Sequence, residues 1–206
     1  MSGIKYSLRQ ESTSFSIGTT NLRSSNGSLI DTNGCVALLV LSGFAVATIN
    51  FEKRILRKGD FVLLFYDSTF SMLSISAAFS VRYVSFAYHL IEEAIYKPLS
   101  INFWNTIYSN PVFRPNERDF KLLVEWWYQI EWVNNIKDYD YQEEILKNNI
   151  RNLLVATDIE IMDHVGDSLR NSRDHAWMLV NRFFRLLSSY CRETREVQFY
   201  ADKLSI

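Results

Sequence analysis

Cysteine and histidine are scarce in this sequence, and long apolar runs are missing from it. The two cysteines, Cys35 and Cys191, lie far apart without a C-x-x-C spacing. A disulfide framework and a cysteine zinc site are therefore both excluded, and each residue reads as a buried, reduced thiol. The three histidines are His89, His164 and His175. His89 falls where the strand-like half ends and the other two fall in the helical half, so spacing brings no two together. A metal site needs three or four converging ligands, and no metal or other cofactor is expected. G-x-S-x-G, P-loop and G-x-G-x-x-G patterns are absent as well, which removes the usual backbone devices of nucleophilic hydrolysis and nucleotide binding. The adjacent pairs Glu92-Glu93 and Glu143-Glu144 point to different sides of a helix and read as solvated charges, not acid/base partners. The longest apolar run, Cys35 to Leu41, is broken by Ser42 and Gly43, well short of the roughly 20 residues that span a bilayer. Met1 to Gln10 lack the apolar centre and cleavage site of a secretory signal. A cytoplasmic protein without a membrane partner is expected.

What is present is an ordinary globular composition with many rings. The chain is 48% hydrophobic and 22% charged, so a sizeable core is expected and disorder over most of the length is not. Aromatic residues make up 15%, and all five tryptophans (104, 126, 127, 132 and 177) lie in the second half, where large rings dominate helix packing. A net charge of −1 argues against a chain built mainly to grip phosphates. From Glu117 to Asp163 eleven acidic residues face five basic ones, and from Arg170 to Ile206 seven basic residues face four acidic ones. The chain turns mildly basic only at its end.

Residues 1–34 are rich in Ser, Thr, Asn and Gly, with turn signals at Asn26-Gly27 and Asn33-Gly34, and read as a mobile arm holding one short strand near Ile4 to Arg9. Cys35 to Leu41 is apolar on both faces, as in a strand covered on both sides. Gly43 marks a bend, and Phe44 to Asn50 resumes as strand. Arg54-Ile55-Leu56 and Phe61 to Tyr66 flank a turn at Arg57-Lys58-Gly59-Asp60, and Phe70 to Ile75 and Phe79 to Phe86 are two further strands. Short strands so spaced suggest a sandwich or barrel. The period then changes to that of helices: Tyr88 to Tyr96 before Pro98, a helix from Glu117 to about residue 136 capped by Asn116, and a helix from Tyr141 to Met162 ended near Gly166. A third long helix is expected over Ser172 to Cys191, and a last one from Arg195 with Val197, Tyr200, Ala201 and Leu204 on its buried face. A helix with so little left to pack against points to a chain cut short there.

The stretch Arg195-Glu196-Val197-Gln198-Phe199-Tyr200-Ala201-Asp202-Lys203-Leu204-Ser205-Ile206 resembles the start of the helix-turn-helix domain of AraC-type transcription regulators, especially those of the Bacteroides group. Asn181-Arg182-Phe183-Phe184-Arg185-Leu186-Leu187 is similar to the linker helix before that domain, and Arg54-Ile55-Leu56 with Lys58-Gly59-Asp60 and Phe61-Val62-Leu63-Leu64 is similar to the cupin-like sensor of such proteins. The likeness covers roughly residues 35–206, and its β-then-helical order is the most specific part. It implies an α+β protein, an N-terminal cupin-like β-barrel followed by a bundle of three or four α-helices. The implied divisions are an arm at 1–34, a sensor barrel at 35–115, a helical dimerisation and linker region at 116–193, and the first helix of a truncated helix-turn-helix domain at 194–206.

On that resemblance the barrel encloses a pocket, for which Phe44, Phe65, Arg82, Tyr83 and Phe86 are candidates, with Arg82 expected to lay its stem along the surface. Ordinary core packing explains the same rings. The helices imply a homodimer interface at Leu122, Trp126, Leu146, Ile150 and Leu153, although packing within one chain explains these too. The partners expected are a small-molecule effector of unknown identity, a second copy, and DNA only through a missing C-terminal domain, because Ile206 precedes any recognition helix. Two alternatives stand beside this: a cupin-type enzyme acting on a small molecule, and a dimerisation module without a ligand.

Overall fold

The computed structural model describes residues 5–25, 27–169 and 194–204, together with Phe183, Leu186 and Tyr190. Eight strands and five α-helices occur among them: β1 (Phe15–Thr20), β2 (Cys35–Ser42), β3 (Phe44–Ile49), β4 (Glu52–Arg57), β5 (Phe61–Phe65), β6 (Phe70–Ile75), β7 (Ser80–Phe86), α1 (Tyr88–Ala94), α2 (Ile101–Ser109), β8 (Val112–Phe113), α3 (Glu117–Val133), α4 (Tyr139–Leu169) and α5 (Val197–Leu204). The strands form two antiparallel sheets, one ordered β1-β7-β2-β5-β8 and the other β4-β3-β6. None of the described helices is long and apolar enough to cross a membrane.

Strand β2 explains the layering. Its residues Cys35 to Val40 are all buried, because one face meets the second sheet and the other meets the helices. Val36, Leu38 and Val40 join Val62, Leu64 and Val81 of the same sheet in a core shared with Ala45, Ala47, Ile49, Leu56, Phe70 and Met72 of the smaller sheet. On the opposite face the register sets Phe15, Phe86, Cys35 and Phe65 side by side across four strands. The central strand contributes only Cys35 and Ala37 near this row, and these small side chains leave room for Phe103, Trp126 and Trp127 of the helices. Burial pushes the Cys35 thiol far up, which leaves it protonated and inert. Cys191 lies outside the described residues.

Turn chemistry fixes the strand ends. Gly43 adopts φ +67°, and a Cβ there would stand 2.6 Å from Phe79 N, so only glycine lets β2 pass so closely under the β6–β7 turn. The Arg57-Lys58-Gly59-Asp60 turn is locked by buried Asp60, which accepts the Arg57 backbone N–H at 2.7 Å and pairs with Arg114 Nε at 3.2 Å. Helix α3 starts where the sequence places it, with the Asn116 side chain accepting the Asp119 N–H.

Several expectations are corrected. The N-terminal stretch is not a free arm: β1 pairs with β7 over six residues, and Leu22 and Ile30 are buried between the sheets. Near Ile4 to Arg9 the described residues hold a single bridge, Tyr6 to Ile30, in place of a strand. Helix α2 was not expected. Its residues INFWNTIYS are β-branched and aromatic, yet Ser100 caps the Phe103 N–H and Phe103 and Ile107 are fully buried, so packing outweighs propensity. Helix α4 continues through Gly166 to Leu169, since one glycine inside a helix costs only about 1 kcal/mol. The helix expected over Ser172 to Cys191 lies outside the described residues, apart from Phe183, Leu186 and Tyr190, which are helical.

Candidate functional site

The five pocket candidates fall into three environments. Phe65 and Phe86 are buried on the helix-facing side of the larger sheet, Phe65 with its ring centroid 5.1 Å from Trp104 and Phe86 at 6.4 Å from Trp126. Arg82 faces the same side. It does not lie along open surface: its Nε is 3.8 Å from Glu131 Oε1 and its guanidinium sits over the Tyr128 ring at 5.2 Å, which ties β7 to α3. Tyr83 faces the opposite way, against the core between the sheets. Its ring covers Gly18 of β1, where a Cβ would meet it at 3.1 Å, and its hydroxyl is 3.4 Å from Ser16 Oγ. Phe44 points to neither core. At 56% exposure it stands on the outer face of the smaller sheet.

That outer face carries a hollow the sequence reading did not assemble. Gly43, Phe44, Val46, Ile55, Arg57 and Lys58 line a space of about 570 Å³. The register explains the grouping: Phe44 pairs with Arg57, Val46 with Ile55 and Thr48 with Lys53, and alternate residues of a strand share a face. The signal was present in Lys53-x-Ile55-x-Arg57, a period of two that mixes apolar and basic residues on one side of β4.

Of the helix candidates, Trp126, Leu146, Ile150 and Leu153 are buried within the chain, in the core that α3 and α4 share with the larger sheet. Trp126 Nε1 donates to the Asn149 carbonyl at 3.1 Å, fixing α3 against α4. Leu122, one helical turn before Trp126, is 59% exposed, and Tyr128 and Trp132 are exposed as well. In α5, Tyr200 and Leu204 are buried one turn apart and Ala201 is half-buried, but Val197 is 82% exposed. The buried stripe of this short helix therefore starts at Tyr200, whose hydroxyl donates to the Thr194 carbonyl at 2.8 Å.

A polar clasp joins the start of β1 to the helices. Ser14 Oγ donates to Glu143 Oε1 at 2.6 Å, and His89 Nε2 of α1 lies 3.5 Å from the same oxygen. Glu143 is thus engaged and not simply solvated, while its pair-mate in the sequence, Glu144, takes no part. The Ser14 hydrogen bond, aided by His89 and Lys147, holds the Glu143 carboxyl below its ordinary value of 4.5. A depressed carboxyl pKa contributes stability that is present above the unfolded value and is lost as pH falls through the folded one. The stability advantage of the native protein over Glu143→Gln is accordingly expected to be present at about pH 5 and to vanish as the solution becomes more acidic. Urea unfolding of both proteins from that pH downward checks this, and an advantage that grows over that range contradicts it. Among the described residues no group of three or more His, Cys, Asp and Glu is arranged to hold a metal.

No family model matches the chain, and no curated protein matches it. Among solved structures it is similar to apo ToxT from Vibrio cholerae strain SCE256, at 15% identity and a TM-score of 0.45 over 96% of this chain and 72% of that one. It is similar to ToxT from Vibrio cholerae O395 at 14% identity and a TM-score of 0.41, covering 93% of this chain and 70% of the other. It is also similar to the AraC-like transcriptional activator CuxR, at 16% identity and a TM-score of 0.37 over 94% and 67% of the two chains.

Proposed function

We propose that this chain is the effector-sensing and dimerisation part of an AraC-family transcription regulator. In this reading residues 35–115, which supply every strand of the two sheets but β1, form a cupin-like sensor, residues 116–193 are the dimerisation and linker region, and 194–206 begin a helix-turn-helix domain with Tyr200, Ala201 and Leu204 toward its core and Val197 outside it. The observation that carries the proposal is the shared core. Strands β2, β5 and β7 pack one face against the second sheet and the other against α1 to α4, so a strand displaced by a ligand cannot leave the helices unmoved. Arg82 on Glu131 and Tyr128, and Ser14 on Glu143, add polar ties across the same boundary. An effector acts by binding one arrangement of sheets and helices better than another, since only differential affinity shifts such an equilibrium. Leu122 is the candidate that would meet a second copy, while Trp126, Leu146, Ile150 and Leu153, buried within the chain, hold α3 and α4 together.

Light scattering combined with a thermal-shift screen of small metabolites tests the reading. A dimer is expected whose Tm rises by about 5 to 10 °C with an effector at a hundred times its Kd. A dimer that no compound stabilises overturns the sensing role, and metal retained through purification favours a cupin-type enzyme instead.

A further inference from the structure

The hollow on the outer face of the smaller sheet combines three properties that a passive surface has no need of. Its floor is apolar: Phe44 and Ile55 are 56% and 47% exposed, Val46 lies between them, and Leu73 of β6 adds another exposed aliphatic nearby. Apolar residues grouped in this way and rimmed by polar ones mark interaction sites. Its rim is cationic. The side chains of Arg57 and Lys58 pair with no carboxylate among the described residues, and Asp60, the nearest in sequence, is buried and engaged by the Arg57 backbone N–H and by Arg114. Strands β3 and β6 carry no acidic residue, and the single one in β4, Glu52, is taken by Arg54. The floor is also held in place. Phe44 N–H donates to Ser76 Oγ at 3.0 Å, Ser42 Oγ donates to the Ala78 carbonyl at 2.6 Å, and Gly43 admits no Cβ against Phe79.

From this we infer that the hollow binds a soluble small molecule with an apolar body and one anionic group, the body lying on Phe44, Val46 and Ile55 and the anion between Arg57 and Lys58. The space of about 570 Å³ is open to solvent and admits such a molecule lying along the sheet. Water competes well for either interaction alone, and together the apolar contact orients the anion onto its two donors. The regulatory meaning of the site rests on the sensing reading above. The binding itself does not.

The test uses the whole chain and two fluorescent probes of nearly the same shape, 8-anilinonaphthalene-1-sulfonate and its uncharged counterpart N-phenyl-1-naphthylamine. The sulfonate is expected to bind about tenfold more tightly than the amine, and Arg57→Gln with Lys58→Gln should abolish that difference while leaving amine binding as it was. Phe44→Ser should weaken both probes, and Lys121→Gln on α3 should change neither. Because the substituted positions are exposed, Tm is expected to stay within about 2 °C of the parent. A measurement that needs no variant runs beside these: added salt should weaken the sulfonate and spare the amine. Equal binding of the sulfonate by the parent and the double variant overturns the assignment. So does binding to phosphatidylserine vesicles without binding of the soluble probe. If the probe binds with the expected dependences and the oligomeric state does not respond, the site stands and the sensing reading fails. If the metabolite screen yields an effector that the double variant still binds, sensing stands and this site is not where it occurs.

Discussion

Replacing Trp127 by alanine is expected to lower the free energy of unfolding by about 3 to 5 kcal/mol. This indole is fully buried at the junction of α3 with the larger sheet, edge-on to Phe61 at 6.4 Å and to Trp126 at 5.2 Å. Its removal takes away a fully buried indole and leaves a cavity between α3 and the larger sheet. The indole N–H has no partner among the described residues, so Trp127→Phe should cost clearly less than Trp127→Ala: the phenyl ring keeps much of the packing and no longer buries that donor. Urea unfolding with a common m-value measures all three proteins. Gln129→Ala, exposed on the same helix, is the control and is expected to stay within about 0.5 kcal/mol of the parent. Should Trp127→Ala and Gln129→Ala cost the same, the proposed seating of α3 on the sheet is wrong.

Gly34→Ala is the second large effect, and here the backbone is the reason. Gly34 adopts φ +98° just before β2, and a Cβ built on it stands 2.0 Å from the Phe86 carbonyl oxygen and 2.8 Å from both Ala87 C and Tyr88 N. Those atoms are main chain at the junction of β7 with α1 and cannot rotate aside as a side chain would. A loss of about 3 kcal/mol or more is expected, seen as a fall in Tm or as insoluble protein. Gly27→Ala separates the two contributions. Its φ is +75°, but a Cβ there meets nothing within 4 Å, so only the conformational cost of about 1 kcal/mol remains. Equal losses at both positions would show that the close approach of β2 to the β7–α1 junction does not exist in solution.

The same distinction between local and long-range causes explains which parts of the molecule were legible. Asn116 with the acidic first turn after it placed α3 correctly, because a cap and a 3.6-residue stripe are properties of the local chain. Continuous burial of Cys35 to Val40 was legible for a similar reason: a strand with no polar face needs cover on both sides. Strand β1 was not, because FSIGTT has only two large apolar residues, Phe15 and Ile17, and gains its strand conformation by pairing with β7, some 65 residues away. Nor was α2, whose β-branched and aromatic residues suggest strand until Phe65 and the α4 helix are there to pack on it.

The candidate site shows the limit most clearly. The alternation of residues in β4 was open to reading, but the hollow also needs Phe44 and Val46, and their place beside Arg57 and Ile55 is a matter of register. Likewise, the apolar stripes of α3 and α4 were evident, while the partner for each residue was not. Trp126, Leu146, Ile150 and Leu153 turned inward, and Leu122 remained outside.

By itself, then, the sequence determined the division into a β half and a helical half, the start of α3, the central position of β2 and the scarcity of metal-binding side chains. Tertiary structure alone decided that the N-terminal stretch is a sheet edge, that the candidate rings part company across two cores, and that two cations share a face with an exposed phenylalanine. The physical reason is range. Caps, turns and periodicity act within a few residues, whereas the partner across a sheet or between layers is chosen only when distant segments compete for the same buried surface.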